Sequence, residues 1–174
     1  MFALFVNVTY GATGSSCTED ANCVTSTEVC DISNSVCICN VGCFADTTTC
    51  TQCAAGSYKS TIGNGACPDI PNGKRGENGS GAYVATGAQA AVACAGGSYS
   101  TNGTGDCQDV PNGSRGENGS GAYASTGAVI AVACATGKYN ANGTVDCQDI
   151  PNGQRGENGS GAYVSTGAQA AVAC

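Results

Sequence analysis

Cys67, Cys107 and Cys147 recur 40 residues apart, and Cys94, Cys134 and Cys174 recur at the same period. Between these positions the chain nearly copies itself: residues 107–134 and 147–174 differ at only five of 28 positions. A period of this length marks a unit that stacks on its neighbours, because one such unit is too small to enclose a core of its own. Leu, Ile, Val and Phe together number 24 of 174 residues, and Trp is absent. Below roughly 20 % in those four residues, a chain buries too little apolar surface to offset the entropy of ordering. Fourteen cysteines supply cross-links instead. The candidate loops close over 13 to 27 residues, and each such closure stabilises by roughly 3 kcal/mol. Bridges of this kind persist in oxidising compartments, so the chain is expected to be secreted or at an extracellular surface.

The acceptor pattern for N-glycosylation agrees with that placement. Asn-x-Ser/Thr occurs at Asn7, Asn78, Asn102, Asn112, Asn118, Asn142 and Asn158, mostly in Gly-rich turn contexts that put a glycan at the surface. The net charge is −7, and the six Lys/Arg residues are scattered. Nucleic acid, which needs a basic patch, is therefore not an expected partner, and neither is an anionic membrane surface. The apolar start Met1-Phe2-Ala3-Leu4-Phe5-Val6 lacks a positive flank. It is too short to span a bilayer and is a poor signal peptide. It reads as a signal remnant, with either the true signal upstream or the gene start mis-set. No other segment is long and apolar enough to cross a membrane.

Three regions follow: an N-terminal segment at 1–16, a cysteine-dense head at 17–52, and tandem 40-residue repeats over 53–174. Each repeat has a short part, such as Cys94 to Cys107, and a longer part. The latter runs Pro111-Asn112-Gly113 through Asn118-Gly119-Ser120-Gly121 and Tyr123 to an Ala/Val stretch. Pro-Asn-Gly and Asn-Gly-Ser-Gly are turn signals. Short strands are expected around Tyr83–Val84 and over Ala88–Cys94, bounded by glycines. Ala168–Ala173 is too short for a stable helix. The predicted fold class is small, disulfide-rich and β/turn-rich: an elongated array of 40-residue cysteine-containing repeats.

Two resemblances are carried by the cysteines. Cys17, Cys23, Cys30, Cys37-Ile38-Cys39, Gly42-Cys43-Phe44 and Cys50 resemble an epidermal-growth-factor-like module. Cys43 is extra, and the acidic and Asn positions of the calcium-binding subclass are missing. The pattern Cys50-Thr-Gln-Cys53-Ala-Ala-Gly56-Ser-Tyr58 is similar to the repeats of protist cysteine-rich surface proteins, including ciliate immobilisation antigens, and of tumour-necrosis-factor-receptor-like modules. Against that pattern, Ile70, Val110 and Ile150 stand where one cysteine of a second bridge would fall. Ala91, Ala131 and Ala171 stand where its partner would fall. The resemblance thus implies that both ends of one bridge are replaced together, leaving Cys94–Cys107 and Cys134–Cys147. Two schemes remain open for the array. Short loops 53–67, 94–107 and 134–147 leave seven head cysteines unassigned (Cys17, Cys23, Cys30, Cys37, Cys39, Cys43 and Cys50) and Cys174 expected to bond a further repeat. Long loops 67–94, 107–134 and 147–174 leave eight. The short loops are the favoured expectation.

Chemistry is sparse. Histidine is absent, which removes Ser-His and Cys-His nucleophiles and His-containing zinc sites. The C-x-x-C at 50–53 has no second half-site, so a structural bridge outweighs redox or zinc roles. The cluster Asp69…Asn72…Glu77-Asn78, repeated at 109–118 and 149–158, carries oxygens of the type calcium takes. Arg75, Arg115 and Arg155 lie inside it, and pairing with Glu77, Glu117 and Glu157 is the competing reading. Calcium is thus an alternative, and no resident cofactor, metal or catalytic residue is expected. Tyr58, Tyr99 and Tyr139 are expected on their own bridges; Tyr83, Tyr123 and Tyr163 there or on the next repeat. The functional expectation is a self-associating structural glycoprotein of a surface coat or fibril. The alternative is an adhesive or receptor-like ectodomain, and an enzyme or inhibitor is disfavoured because no set of polar side chains converges.

Overall fold

The computed structural model describes residues 13–174 other than 24, 25 and 48. The apolar start and the Asn7 acceptor site lie outside the described residues. Among the described residues, fourteen short strands make seven two-stranded antiparallel sheets, and the only helical element is the single turn Asp20–Asn22. The head holds β1 (Glu28–Asp31) paired with β2 (Val36–Cys39), and β3 (Cys43–Asp46) paired with β4 (Thr49–Gln52). The repeats follow with β5 (Lys74–Glu77), β6 (Ala90–Ala93), β7 (Ser98–Tyr99), β8 (Gln108–Asp109), β9 (Ser114–Glu117) and β10 (Ile130–Ala133). The last copies are β11 (Lys138–Tyr139), β12 (Gln148–Asp149), β13 (Gln154–Glu157) and β14 (Ala170–Ala173).

Six disulfides hold these hairpins: 17–30, 23–37 and 39–50 in the head, then 53–67, 94–107 and 134–147 in the array. The array is closed by the short loops. Cys43 is free and buried, and Cys174 is free and exposed. The core is correspondingly thin. It consists mainly of cystine sulfur, with Ile70 and Val110 and the fully enclosed alanines Ala88, Ala128 and Ala168. Disulfides thus occupy the interior that a larger domain fills with branched side chains.

Within a repeat, the long part is a hairpin whose connection folds back on it. Lys74, Arg75, Gly76 and Glu77 face Ala93, Val92, Ala91 and Ala90, and Val84 N–H returns to the Gly76 carbonyl. A strand over Lys-Arg-Gly-Glu runs against propensity, because glycine and charged residues are depleted in strands. The expected strand around Tyr83–Val84 is reduced to one bridge between Glu77 and Tyr83; the real strands are Lys74–Glu77 and Ala90–Ala93. The environment of Ile70 also differs from the expectation that paired it with Ala91. Its Cδ1 lies 3.0 Å from where a Gly76 Cβ would stand, and the Ala88 Cβ lies 2.8 Å from that point. Ala88 therefore closes the pocket, while Ala91, Ala131 and Ala171 are half-buried on the strand.

The two free thiols are expected to react very differently. Burial pushes the Cys43 thiol up, the nearby Lys59 ammonium opposing it only in part, so it stays protonated at neutral pH; the thiolate is the nucleophile. Alkylation of native oxidised protein should label Cys174 promptly and Cys43 only after denaturation. Equal labelling rates would show that the head is open.

Candidate functional site: the inter-repeat junction

The same contact set joins each unit to the next. The Gly42 amide donates to the Lys59 carbonyl at 2.8 Å, Gly73 to Ser100 at 2.7 Å, and Gly113 to Asn140 at 2.7 Å. Each of these acceptor residues uses its own amide to reach the buried alanine of its unit, Ala88, Ala128 or Ala168. Lys59, Ser100 and Asn140 are all buried; Ser100 and Asn140 use their side chains inside the short loop, and Lys59 uses its own both there and on the head. Ser100 Oγ and Asn140 Oδ1 accept from the Gly103 and Gly143 amides. Lys59 Nζ donates to the Gly63 and Cys43 carbonyls, and burial lowers its pKa.

The backbones meet without side chains between them. A Cβ on Gly73 would stand 2.2 Å from the Gly127 carbonyl oxygen, one on Gly113 would stand 2.1 Å from that of Gly167, and one on Gly42 would stand 2.3 Å from that of Gly87. The stacking contact therefore begins at Gly42, within the cysteine-dense head. Gly103 is pressed on Ile70 and Gly143 on Val110 in the same manner. The second tyrosine of each of the first two repeats faces the next: Tyr83 donates to the Thr104 carbonyl at 3.3 Å and Tyr123 to that of Thr144 at 3.0 Å.

An ionic clamp lies across each junction between repeats. Arg75 places Nε and Nη2 on Glu77 Oε1 at 2.9 and 2.8 Å, and Nη1 on Asp106 Oδ1 of the next unit at 2.8 Å. Arg115 does the same with Glu117 and Asp146. Arg155 pairs with Glu157. The intra-unit pairs join residues two apart on a strand, which share a face. Asp106 and Asp146 escaped sequence reasoning, although a signal was present. The residue before the second cysteine of each short loop is Asp when the preceding unit has an Arg. It is Ala66 when the preceding unit is the head, whose described residues contain no Lys or Arg. The Arg hydrogen bond holds Asp106 and Asp146 below the usual carboxylate range.

A folded-state pKa lowered in this way stabilises fully above the unfolded value of about 3.9 and is lost as pH falls through the folded value. These carboxylates are half exposed, so each clamp is worth about 0.2–1 kcal/mol. Asp146→Asn is therefore expected to lower stability by that amount near neutral pH, with the difference shrinking in acid and at high salt. A loss that is independent of pH and salt in denaturant titrations would assign the effect of Asp146 to packing.

Two of the four candidate calcium ligands in the first cluster are committed elsewhere. Glu77 Oε1 receives Arg75, and Asn78 Oδ1 accepts from Ser80 N, Ser80 Oγ and Ala82 N at 2.8–3.0 Å. Asn118 and Asn158 repeat that turn, while Asn102 and Asn142 accept from Thr104 and Thr144. At these five acceptor sites, the side-chain oxygen is tied to the Ser or Thr of the motif itself. Asn102, Asn112, Asn118 and Asn142 are exposed and Asn78 and Asn158 half-buried. The one tight group of metal-ligating side chains among the described residues is Cys17, Cys23 and Cys37, and all three are in disulfides. No helix among the described residues is long and apolar enough to cross a membrane. No family model matches the chain, and no curated protein matches it.

Proposed function

We propose that this chain is an extracellular structural glycoprotein of a surface coat or fibril, built from stacked, disulfide-stapled repeats that carry N-linked glycans. One observation carries the reading: the glycine backbone contact recurs at equivalent positions from head to first repeat, first to second and second to third. A recurring one-directional contact builds a rod or helical array, because each added unit repeats the same displacement. Six acceptor motifs for glycan attachment among the described residues, with four of their asparagines exposed and two half-buried, fit the same role. The resemblance to protist cysteine-rich surface proteins belongs to this proposal, as does the epidermal-growth-factor-like head. For the head, the supporting observation is that setting aside the extra Cys43 leaves six cysteines, all paired. Catalysis is not part of the proposal.

The test joins shape with modification. A compact globule of this length has a radius of gyration of about 16 Å. Deglycosylated, oxidised protein is expected to exceed that clearly in small-angle scattering, and native-host material should lose mass stepwise on N-glycan removal. A radius near the globular value without higher assembly would move the reading to the adhesive or receptor-like alternative. No mass change would remove the glycoprotein.

A further inference from the structure

The dipeptide Asn-Gly recurs through the array in two different settings. At Asn72, Asn102, Asn112 and Asn142 the amide of the following glycine is engaged. Gly73 and Gly113 donate to the Ser100 and Asn140 carbonyls at 2.7 Å. Gly103 donates to Ser100 Oγ at 3.3 Å and Gly143 to Asn140 Oδ1 at 3.0 Å. At Asn78, Asn118 and Asn158 the arrangement is reversed. The amides of Gly79, Gly119 and Gly159 make no hydrogen bond among the described residues, and the asparagine side chain is engaged instead. Asn118 Oδ1 accepts from Ser120 N at 3.0 Å, Ser120 Oγ at 2.8 Å and Ala122 N at 3.0 Å. Asn78 and Asn158 hold the same set. Three donors thus converge on one amide oxygen, and the next backbone nitrogen is left without a partner.

We propose that the Asn118–Gly119 turn, with its copies at Asn78 and Asn158, is a self-modification site at which asparagine is converted to aspartate and isoaspartate. The reaction closes a five-membered imide. The Gly119 nitrogen gives its proton to solvent base and attacks Asn118 Cγ, forming a C–N bond. Negative charge develops on Oδ1, where the three donors already point, which is how an oxyanion is stabilised. Collapse breaks the Cγ–Nδ2 bond, and the nitrogen takes a proton and leaves as ammonia. Water then opens the imide at either carbonyl, so one water is consumed, one ammonia is released and nothing is oxidised or reduced. Either product places a new carboxylate beside Glu117, whose Oε1 holds Arg115. The three copies differ in access. A Cβ on Gly79 would stand 2.8 Å from Gln89 Oε1, and one on Gly159 would stand 2.7 Å from Gln169 Oε1. Val129 holds that place in the second repeat, and nothing lies within 4 Å of a Gly119 Cβ. Asn118 is exposed, whereas Asn78 and Asn158 are half-buried. Asn118 therefore reacts first.

The test uses oxidised full chain made in a bacterial periplasm, so that no glycan occupies Nδ2, aged at mildly alkaline pH and followed by peptide mass spectrometry. Isoaspartate and aspartate are expected first at Asn118, then at Asn78 and Asn158, with Asn72, Asn102, Asn112 and Asn142 unchanged. The rate should rise with pH, because the attacking nitrogen must lose its proton. Ser120→Ala removes one donor and leaves both backbone donors in place. It should slow conversion of Asn118 about two- to tenfold, the worth of one hydrogen bond, with Asn78 of the same chain as reference and Gly113 amide exchange reporting an intact fold. Asn64–Gly65 separates a built site from simple exposure. Both residues are exposed and the Gly65 amide makes no hydrogen bond among the described residues, but Asn64 Oδ1 accepts one hydrogen bond, from the Cys39 amide at 3.2 Å. Asn64 should lag Asn118 in the folded chain, and the order of sites should vanish once the disulfides are reduced and alkylated. Conversion of Asn64 ahead of Asn118 overturns the proposal, as does an unchanged Asn118 rate in Ser120→Ala. So does the same order of sites in the reduced chain, or no conversion at any of the three turns. Glycans are absent from every arm, so this proposal and the glycoprotein reading fail separately.

Discussion

Reduction of the six disulfides is expected to unfold residues 13–174 completely, with loss of the strand signal in circular dichroism and a large rise in hydrodynamic radius. The interior is the reason. Six cysteines of the head and Cys53, Cys94 and Cys134 of the array make up most of the buried apolar residues, and the remainder are Ile70, Val110 and three alanines. A bridge closing 13 residues is worth about 3 kcal/mol, while a whole domain is stable by roughly 5–15 kcal/mol. Losing several bridges therefore exceeds any margin the thin core supplies. A single deletion has a graded effect, because stability in an array is close to a sum over units and junctions. Cys94→Ser with Cys107→Ser should release about 3 kcal/mol and raise amide exchange in that unit and its two junctions, while the head stays protected. A reduced chain that kept its strand signal and compact radius would mean that the glycine-mediated stacking suffices alone.

A second large effect is expected where two backbones touch, and the repeats contain their own control. Gly113 and Gly153 occupy the same place in successive units, with φ of 80° and 79°. Alanine at either position carries the same left-handed backbone penalty, on the order of 1 kcal/mol. Only at Gly113 would the new methyl also stand 2.1 Å from a carbonyl oxygen, that of Gly167. That residue is tied down by its own amide, which bonds the Cys134 carbonyl at 2.8 Å, so relief requires the junction to open. Gly113→Ala should therefore cost roughly 1–3 kcal/mol beyond Gly153→Ala, the range for forcing atoms into a packed site. In exchange experiments it should expose the Gly113 amide and the Tyr123 contact. Equal denaturation midpoints for the two variants would mean that the junction is absent in solution.

Much of this architecture was legible in the residues. The 40-residue phase of the cysteines, the scarcity of branched apolar side chains and the Asn-Gly and Pro-Asn-Gly turns lead directly to stapled β-turn units. Each of these signals acts over a few residues or through a covalent spacing. Arg75–Glu77 was legible for the same reason, being two positions apart in the sequence. The choice between short and long loops required the tertiary structure, because both spacings close without difficulty in an unfolded chain. So did the strand over Lys74–Glu77, which exists only because Ala90–Ala93 lies beside it and overrides poor local propensity. The junction was least visible. Arg75 reaches Asp106 and Gly73 meets Gly127 only after two units have stacked, and a contact between glycines leaves no apolar pattern to read. Covalent spacing and local turn chemistry thus determined the unit, while packing between separately closed units, which no local signal encodes, decided how they join.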